Sequence, residues 1–258
     1  MKILSYLSAI LLGVPAVLSA AQQAPEINYD TIRFQKLVTA VRISEPITID
    51  GRLDEPAWSR ATPAGDFIQW SPFHGEPAAE PSEVFVLYDD DNLYVGFVSY
   101  DSDIDHMVVN ELREDFNFND TDGITVLIDS LNDDRSGFIF GTNPAGAKRD
   151  IQISNDNSLN NDWDGVWEVE VSVEEDRWVA EYIIPFKTLR FTKDEMQEWG
   201  LNLSRRVLRL NEESLWTPVP IRSRVTRVSL AGRMDGLDNI RQGKGLETGF
   251  EVRRVDLA

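Results

Sequence analysis

The feature that most restricts what this chain can fold into is a period of two. From Leu37 onward, short runs of alternating apolar side chains recur between Gly, Pro, Asn and Asp: Ala40 to Ile43, Glu83 to Asp89, Asn92 to Tyr100, Gly123 to Asp129, Gly137 to Phe140, Val166 to Val173, Arg177 to Ile184 and Leu201 to Leu210. Successive side chains of an extended strand point to opposite faces, so Val84, Val86 and Tyr88 share one face while Phe85 and Leu87 take the other. Such runs, short and closely spaced, predict an all-β fold, an antiparallel β-sandwich. Helical signal is confined to one or two single turns. Asp54-Glu55-Pro56-Ala57-Trp58 carries the cap, acid and proline of a helix start and would pin Trp58 and Ala61 to the core; Pro185 to Leu189 offers a second turn.

Both ends differ from this pattern. Lys2, an apolar stretch from Ile3 to Leu18 and the small residues Ser19-Ala20-Ala21 have the layout of a secretory signal peptide over 1–21, cleaved after Ala21. That stretch is shorter than the roughly 20 residues of a membrane span. The expectation is an exported protein, in the periplasm, at the outer membrane or outside the cell. Residues 22–36 read as a polar tether and 37–217 as the sandwich. Charge then changes sign: residues 22–201 hold 13 Lys and Arg against 37 Asp and Glu, whereas 202–258 hold 11 against 7. A domain this acidic repels phosphate backbones, which argues against nucleic acid as a partner. The absence of cysteine leaves stability to the core, for which a hydrophobic content of 42% with seven Trp and twelve Phe suffices.

No catalytic constellation stands out. There are two histidines, His74 and His106, no cysteine and no Gly-x-Ser-x-Gly, and none of the 44 carboxylates is singled out as half of a glycosidase pair. Three acidic clusters have the oxygen-rich composition that Ca²⁺ takes. Asp101 to Asp105 and Asp115 to Asn119 start like calcium loops but lack the sixth-position Gly and the closing Glu. The third, Asn155-Asp156-Asn157 with Asp162 and Asp164, reads as a long loop and is the favoured calcium site. Among the tryptophans, Trp58, Trp167 and Trp178 sit in amphipathic contexts that place them in the core. Trp70, Trp163, Trp199 and Trp216 fall at strand ends or in loops, where an exposed ring can stack on a sugar.

Four motifs in a fixed order then give a resemblance. Ile49-Asp50-Gly51-Arg52-Leu53-Asp54-Glu55-Pro56-Ala57-Trp58, Val86-Leu87-Tyr88-Asp89-Asp90-Asp91-Asn92-Leu93-Tyr94-Val95, Asp122-Gly123-Ile124-Thr125-Val126-Leu127-Ile128-Asp129 and Glu181-Tyr182-Ile183-Ile184-Pro185-Phe186 resemble the pattern of the family 9 carbohydrate-binding modules. Asn143-Pro144-Ala145-Gly146 and Trp163-Asp164-Gly165-Val166-Trp167 resemble the subgroup at the N-terminus of DUF5916-type exported proteins, where a β-rich, outer-membrane barrel region follows. The resemblance implies a jelly-roll type sandwich, a sugar-binding ancestry and, in some members, structural Ca²⁺. It further implies a sugar clamp of two aromatic rings. Trp216 fits one, and Phe118 with Asn119 stands at the other. Asn143 matches the family's Asn, and Gly141 stands where the family has an Arg.

The reading that follows is a non-catalytic carbohydrate-binding module of an exported protein, with the end of an oligo- or polysaccharide as ligand. Two alternatives stand beside it. One is a structural or interaction domain capping an outer-membrane barrel, with residues 218–258 as the start of that region. The other is an accessory module of a glycoside hydrolase in carbohydrate catabolism.

Overall fold

The computed structural model describes residues 27–242, so the signal-peptide segment and residues 243–258 lie outside the described residues. Fourteen strands make up the described chain: β1 (Leu37–Thr39), β2 (Val41–Arg42), β3 (Ile68–Ser71), β4 (Ser82–Tyr88), β5 (Asn92–Tyr100), β6 (Gly123–Asp129), β7 (Gly137–Thr142), β8 (Lys148–Ser154), β9 (Ser158–Asn160), β10 (Glu168–Val173), β11 (Arg177–Pro185), β12 (Met196–Val207), β13 (Glu212–Leu215) and β14 (Gly232–Asp238). They form two sheets. The larger runs β1-β14-β12-β6-β7-β8-β9, with β13 bridging β12 and β3; the smaller runs β10-β11-β5-β4-β2. Pairing is antiparallel except for the short β1–β14 and β2–β4 contacts. This is the sandwich that the alternation predicts.

The inward residues meet between the sheets. Val84, Val86, Phe97, Trp178 and Tyr182 of the smaller sheet pack with Ile124, Val126, Phe140, Leu201 and Leu203 of the larger. Trp58, Trp167 and Trp178 are buried, as their contexts predict. So is Trp199, because β12 begins at Met196 and carries the ring into the core instead of leaving it at a strand end. The two expected helical turns are single 3₁₀ turns, Trp58–Arg60 and Phe186–Thr188.

The first motif covers the outer face of the smaller sheet. Trp58, Ala57 and Ile43 pack there on Leu87 and Tyr94. What fixes the segment is a buried carboxylate: Glu181 Oε2 accepts the Asp50 and Gly51 N–H groups at 2.9 and 3.1 Å. Gly51 is required at that point. Its φ is +79°, and a Cβ would lie 2.7 Å from the Val171 carbonyl carbon. The second motif is the β4–β5 hairpin, in which Asp89 accepts the Asp91 and Asn92 N–H groups and the Tyr94 hydroxyl at 2.7 to 2.8 Å.

Two expected boundaries move. The sandwich does not end at Thr217, since β14 lies between β1 and β12 and contributes Met234 and Leu237 to the core. Part of the basic surplus after residue 217, Arg222, Arg224 and Arg227, therefore lies in the connection that leads into a sandwich strand. The described part of the tether is docked as well: Tyr29–Ile32 forms a helical turn, and the Arg33 guanidinium reaches the Ser229 carbonyl and Asp134.

Candidate functional site

A cavity of about 290 Å³ opens on the outer face of the larger sheet. Strand alternation decides what it presents. Along β12, Leu201, Leu203 and Arg205 turn inward, so Asn202, Ser204 and Arg206 line the cavity; along β6 the same parity presents Gly123, Thr125 and Leu127. The connection before β14 crosses this face. Its Val228 and Ala231 seal one end against Leu127, Ile139 and Ile153, and Val225 and Thr226 form a wall of the opening.

Phe118 and Asn119 both border the cavity, which brings together two of the expected sugar-binding residues. The Phe118 ring lies over β6 and β7, where two glycines make room for it. A Cβ on Gly141 would stand 2.3 Å from Phe118 Cζ, and one on Gly123 3.4 Å from Cδ1. Phe116 meets the ring edge-on at 4.7 Å between centroids. Asn119 is exposed, and its amide donates to Asn117 Oδ1 at 3.1 Å.

Trp216 does not belong to this site. Leu215 lines the cavity, so the next residue points the opposite way, and Trp216 is in the core at 2% exposure. The expected second stacking platform is a core ring. Asn143 is also spent structurally. Its Oδ1 accepts the Ala145 and Ala147 N–H groups at 3.0 and 3.1 Å, and its Nδ2 donates to the Glu111 carbonyl at 2.7 Å, so it holds the β7–β8 turn and, fully buried, presents no group to a sugar.

Arg149, Arg206 and Glu213 are charged cavity residues that the sequence reading missed, and Arg149 is the one beside the ring. The register pairs Gly141 with Arg149, and Arg149 projects on the same outer face. The position without a guanidinium thus has one next to it on the neighbouring strand. Arg149 lies 5.7 Å from the Phe118 ring centroid and donates to the Phe116 carbonyl and, at 3.1 Å, to Asn161 Oδ1. The signal that could have found it is the Lys148-Arg149-Asp150 run, one residue past a Gly turn and in alternation with Ile151 and Ile153. Opposite it, Arg206 faces Glu213 at 3.7 Å, and burial pushes the Glu213 carboxyl up while Arg206 pulls it down. The Thr125 and Ser204 hydroxyls pair at 2.5 Å on the cavity floor.

The favoured calcium residues are not one site. Asp156 sits at the tip of the β8–β9 hairpin, whereas Asp162 and Asp164 follow β9 beside Asp150. At about 3.3 Å per residue, the four steps from Ser154 to Asp150 separate the two ends by roughly 13 Å. The Asp156 carboxylate already has its cation. It accepts from Arg227 Nε at 2.8 Å and from the Ser229 N–H and hydroxyl at 2.8 and 3.0 Å. Burial acts to raise its pKa, but the Ser229 and Arg227 contacts outweigh that and hold it low. Asp162 and Asp164 border a second cavity with Glu114, Asp115 and Asp150. Among the described residues, no three Asp, Glu or His side chains converge to hold a metal ion, so these donors do not fit Ca²⁺ as a set.

The match of known families to this chain covers the same elements. The family described as carbohydrate family 9 binding domain-like matches residues 49–206, from the first motif through β12. The chain belongs to that family. A family 9 module from Caldicellulosiruptor kristjanssonii in complex with cellotriose is similar to it at TM-score 0.55 and 15% identity, over 78% of this chain and 93% of that one. The same organism's family 9 module in complex with glucose is similar at TM-score 0.55 and 14% identity, over 78% and 95%. A protein of Bacteroides uniformis, described as a candidate carbohydrate-binding protein, gives TM-score 0.63 at 10% identity, over 78% and 98%. At these identities the structures establish the fold of this family 9 domain. No curated protein matches it.

Proposed function

We propose that this family 9 domain binds the terminal sugars of a carbohydrate in the cavity on the outer face of its larger sheet. The observation that carries the reading is the meeting, in one concave site, of an aromatic ring held over two glycines and polar groups free to read hydroxyls. Apolar faces of pyranoses stack on aromatic rings, and side-chain amides, guanidinium groups and carboxylates recognise the hydroxyls. Phe118 supplies the ring; Asn119, Arg149, Arg206 and Glu213 supply the polar groups. The complexes of similar structures with cellotriose and glucose support a saccharide as the class of ligand. The leader-like segment before residue 22 supports an exported module acting outside the cytoplasm.

A second reading is an interaction domain that keeps the sandwich and has lost sugar recognition, serving a barrel region beyond this chain. The burial of Trp216 favours it, because one arm of the implied clamp is missing. Titration calorimetry against a panel of neutral and acidic mono- and oligosaccharides separates the two. Binding that disappears in Phe118→Ala, with its melt unchanged, supports the cavity as a sugar site. Absence of binding across the panel overturns it in favour of the interaction domain.

A further inference from the structure

The cavity carries a charge opposite to that of the protein around it. The chain has a net charge of −19, yet the charged side chains lining this cavity are Arg149, Arg206 and one carboxylate, Glu213. Arg149 is the charge in this cavity that is left uncompensated. Among the described residues no carboxylate comes within ion-pair distance of it; its guanidinium meets only neutral acceptors, the Phe116 and Asp115 carbonyls and Asn161 Oδ1, and its Nε is buried without an acceptor. Other arginines also lack an acid, but Arg149 is the one that does so while lining this cavity beside the Phe118 ring, where a ligand can supply the missing charge.

The other donors at this cavity are similarly underused. Arg206 approaches Glu213 only at 3.7 Å, beyond hydrogen-bond range, and its Nε has no acceptor; the buried Thr226 hydroxyl has none either. Buried donors without acceptors are costly, and a ligand that brings acceptors recovers that cost. A hydroxyl is one acceptor with no charge. A carboxylate is planar, offers two oxygens, and matches the fork of a guanidinium in charge-assisted bonds.

We infer that the cavity selects a sugar that bears a carboxylate, a uronic acid at the end of a chain. Arg149 takes the carboxylate, and the Phe118 ring supports the adjoining pyranose face. Glu213 does not cancel this selection, because its charge is matched by Arg206 across the β12–β13 pair. Its oxygens are left to accept sugar hydroxyls. This inference rests on the proposed sugar site and narrows its ligand to the acidic class.

The test compares galacturonic and glucuronic acid, and their oligomers, with the corresponding methyl esters and neutral sugars, by titration calorimetry on the folded chain. Esterification removes the charge and keeps the ring. A charge-assisted pair predicts that each acid binds about ten- to hundred-fold more tightly than its ester. The gap should narrow as salt is raised. Arg149→Gln should bring the acid down to the level of the ester, and Arg149→Lys, which keeps the charge and loses the fork, should fall between. Equal binding of acid and ester by the unmodified protein, abolished by Phe118→Ala, overturns the inference and leaves the sugar site standing. Absence of binding by every sugar overturns both. The acid-to-ester ratio of the unmodified protein decides the matter even if the Arg149 variants fail to fold.

Discussion

Glu181 is expected to contribute stability in mild acid that is lost toward neutral pH, and the size of the effect follows from its surroundings. The side chain is fully buried on β11; Oε2 holds the Asp50 and Gly51 N–H groups, and Oε1 has no partner. Burial pushes its pKa from 4.5 up to about 7 against the pull of those two N–H groups, and Glu55 and Asp50 add to the rise. Between pH 4.5 and 7 the native state keeps a proton that the unfolded chain has released, so stability falls as pH rises through that window. At 1.36 kcal/mol per pKa unit the loss has a ceiling of about 3 kcal/mol, worth roughly 6 to 12 °C in melting temperature for a domain of this size. Glu181→Gln removes the titration and retains an oxygen for both N–H groups. The assay is urea or thermal unfolding of both proteins at intervals from pH 4.5 to 8. Any fixed cost of the amide, including its unpartnered NH₂, cancels in the change of their difference with pH. Asp129, raised to about 6 by burial, sharpens the same trend but is common to both proteins and drops out too. The expected result is a variant that gains on the wild type steadily from pH 4.5 to 7. Parallel curves would refute the reasoning.

Other perturbations have clear expected outcomes. Trp58→Ala, which removes a ring of the first motif that is only 3% exposed, should cost about 3 to 5 kcal/mol in urea unfolding. Gly51→Ala should lower the melting temperature by more than the helix-type penalty of about 1 kcal/mol would suggest, since its Cβ meets backbone rather than a movable side chain. Asp156→Asn breaks a half-exposed pair with Arg227 and should cost about 1 kcal/mol, equally with and without EDTA; a loss seen only in the absence of EDTA would restore the calcium reading.

The parts of the fold that could be read from the chain are those where a local pattern and a tertiary role coincide. The β4–β5 hairpin and β11 were legible because both faces are apolar and an acidic turn or a proline marks the end. The β8–β9 hairpin was not. Only Ile151 and Ile153 alternate there, with Asp150 before them and Gln152 between them, and the Asn and Asp of its tip look like a metal loop. Asn155 and Asp156, at φ +51° and +68°, suit a tight turn, but nothing local shows that its carboxylate is neutralised by an arginine some 70 residues on. The same holds for β14, which a shift toward basic composition disguised as a separate segment. Its place between β1 and β12 depends on pairing that no local window contains.

The site was legible only by half, and parity explains which half. Phe118 and Asn119 precede a strand whose start is plainly marked, so their place near the outer face follows from the Asp122-Gly123 motif. Trp216 lies one residue past a short strand whose register cannot be judged from composition, and a shift by one residue decides between a stacking platform and a core ring. Here Glu213 and Leu215 take the outer face and Ser214 and Trp216 the inner. Gly141 shows the opposite limitation. Taken alone it is a lost arginine; in the sheet it is the floor beneath Phe118, with Arg149 directly across from it. An arginine side chain at 141 would have to displace the ring, so a guanidinium beside the ring on this face has to come from another strand. Gly141 and Arg149 thus fit together on this face: the glycine makes room for the ring, and the arginine across from it supplies the guanidinium.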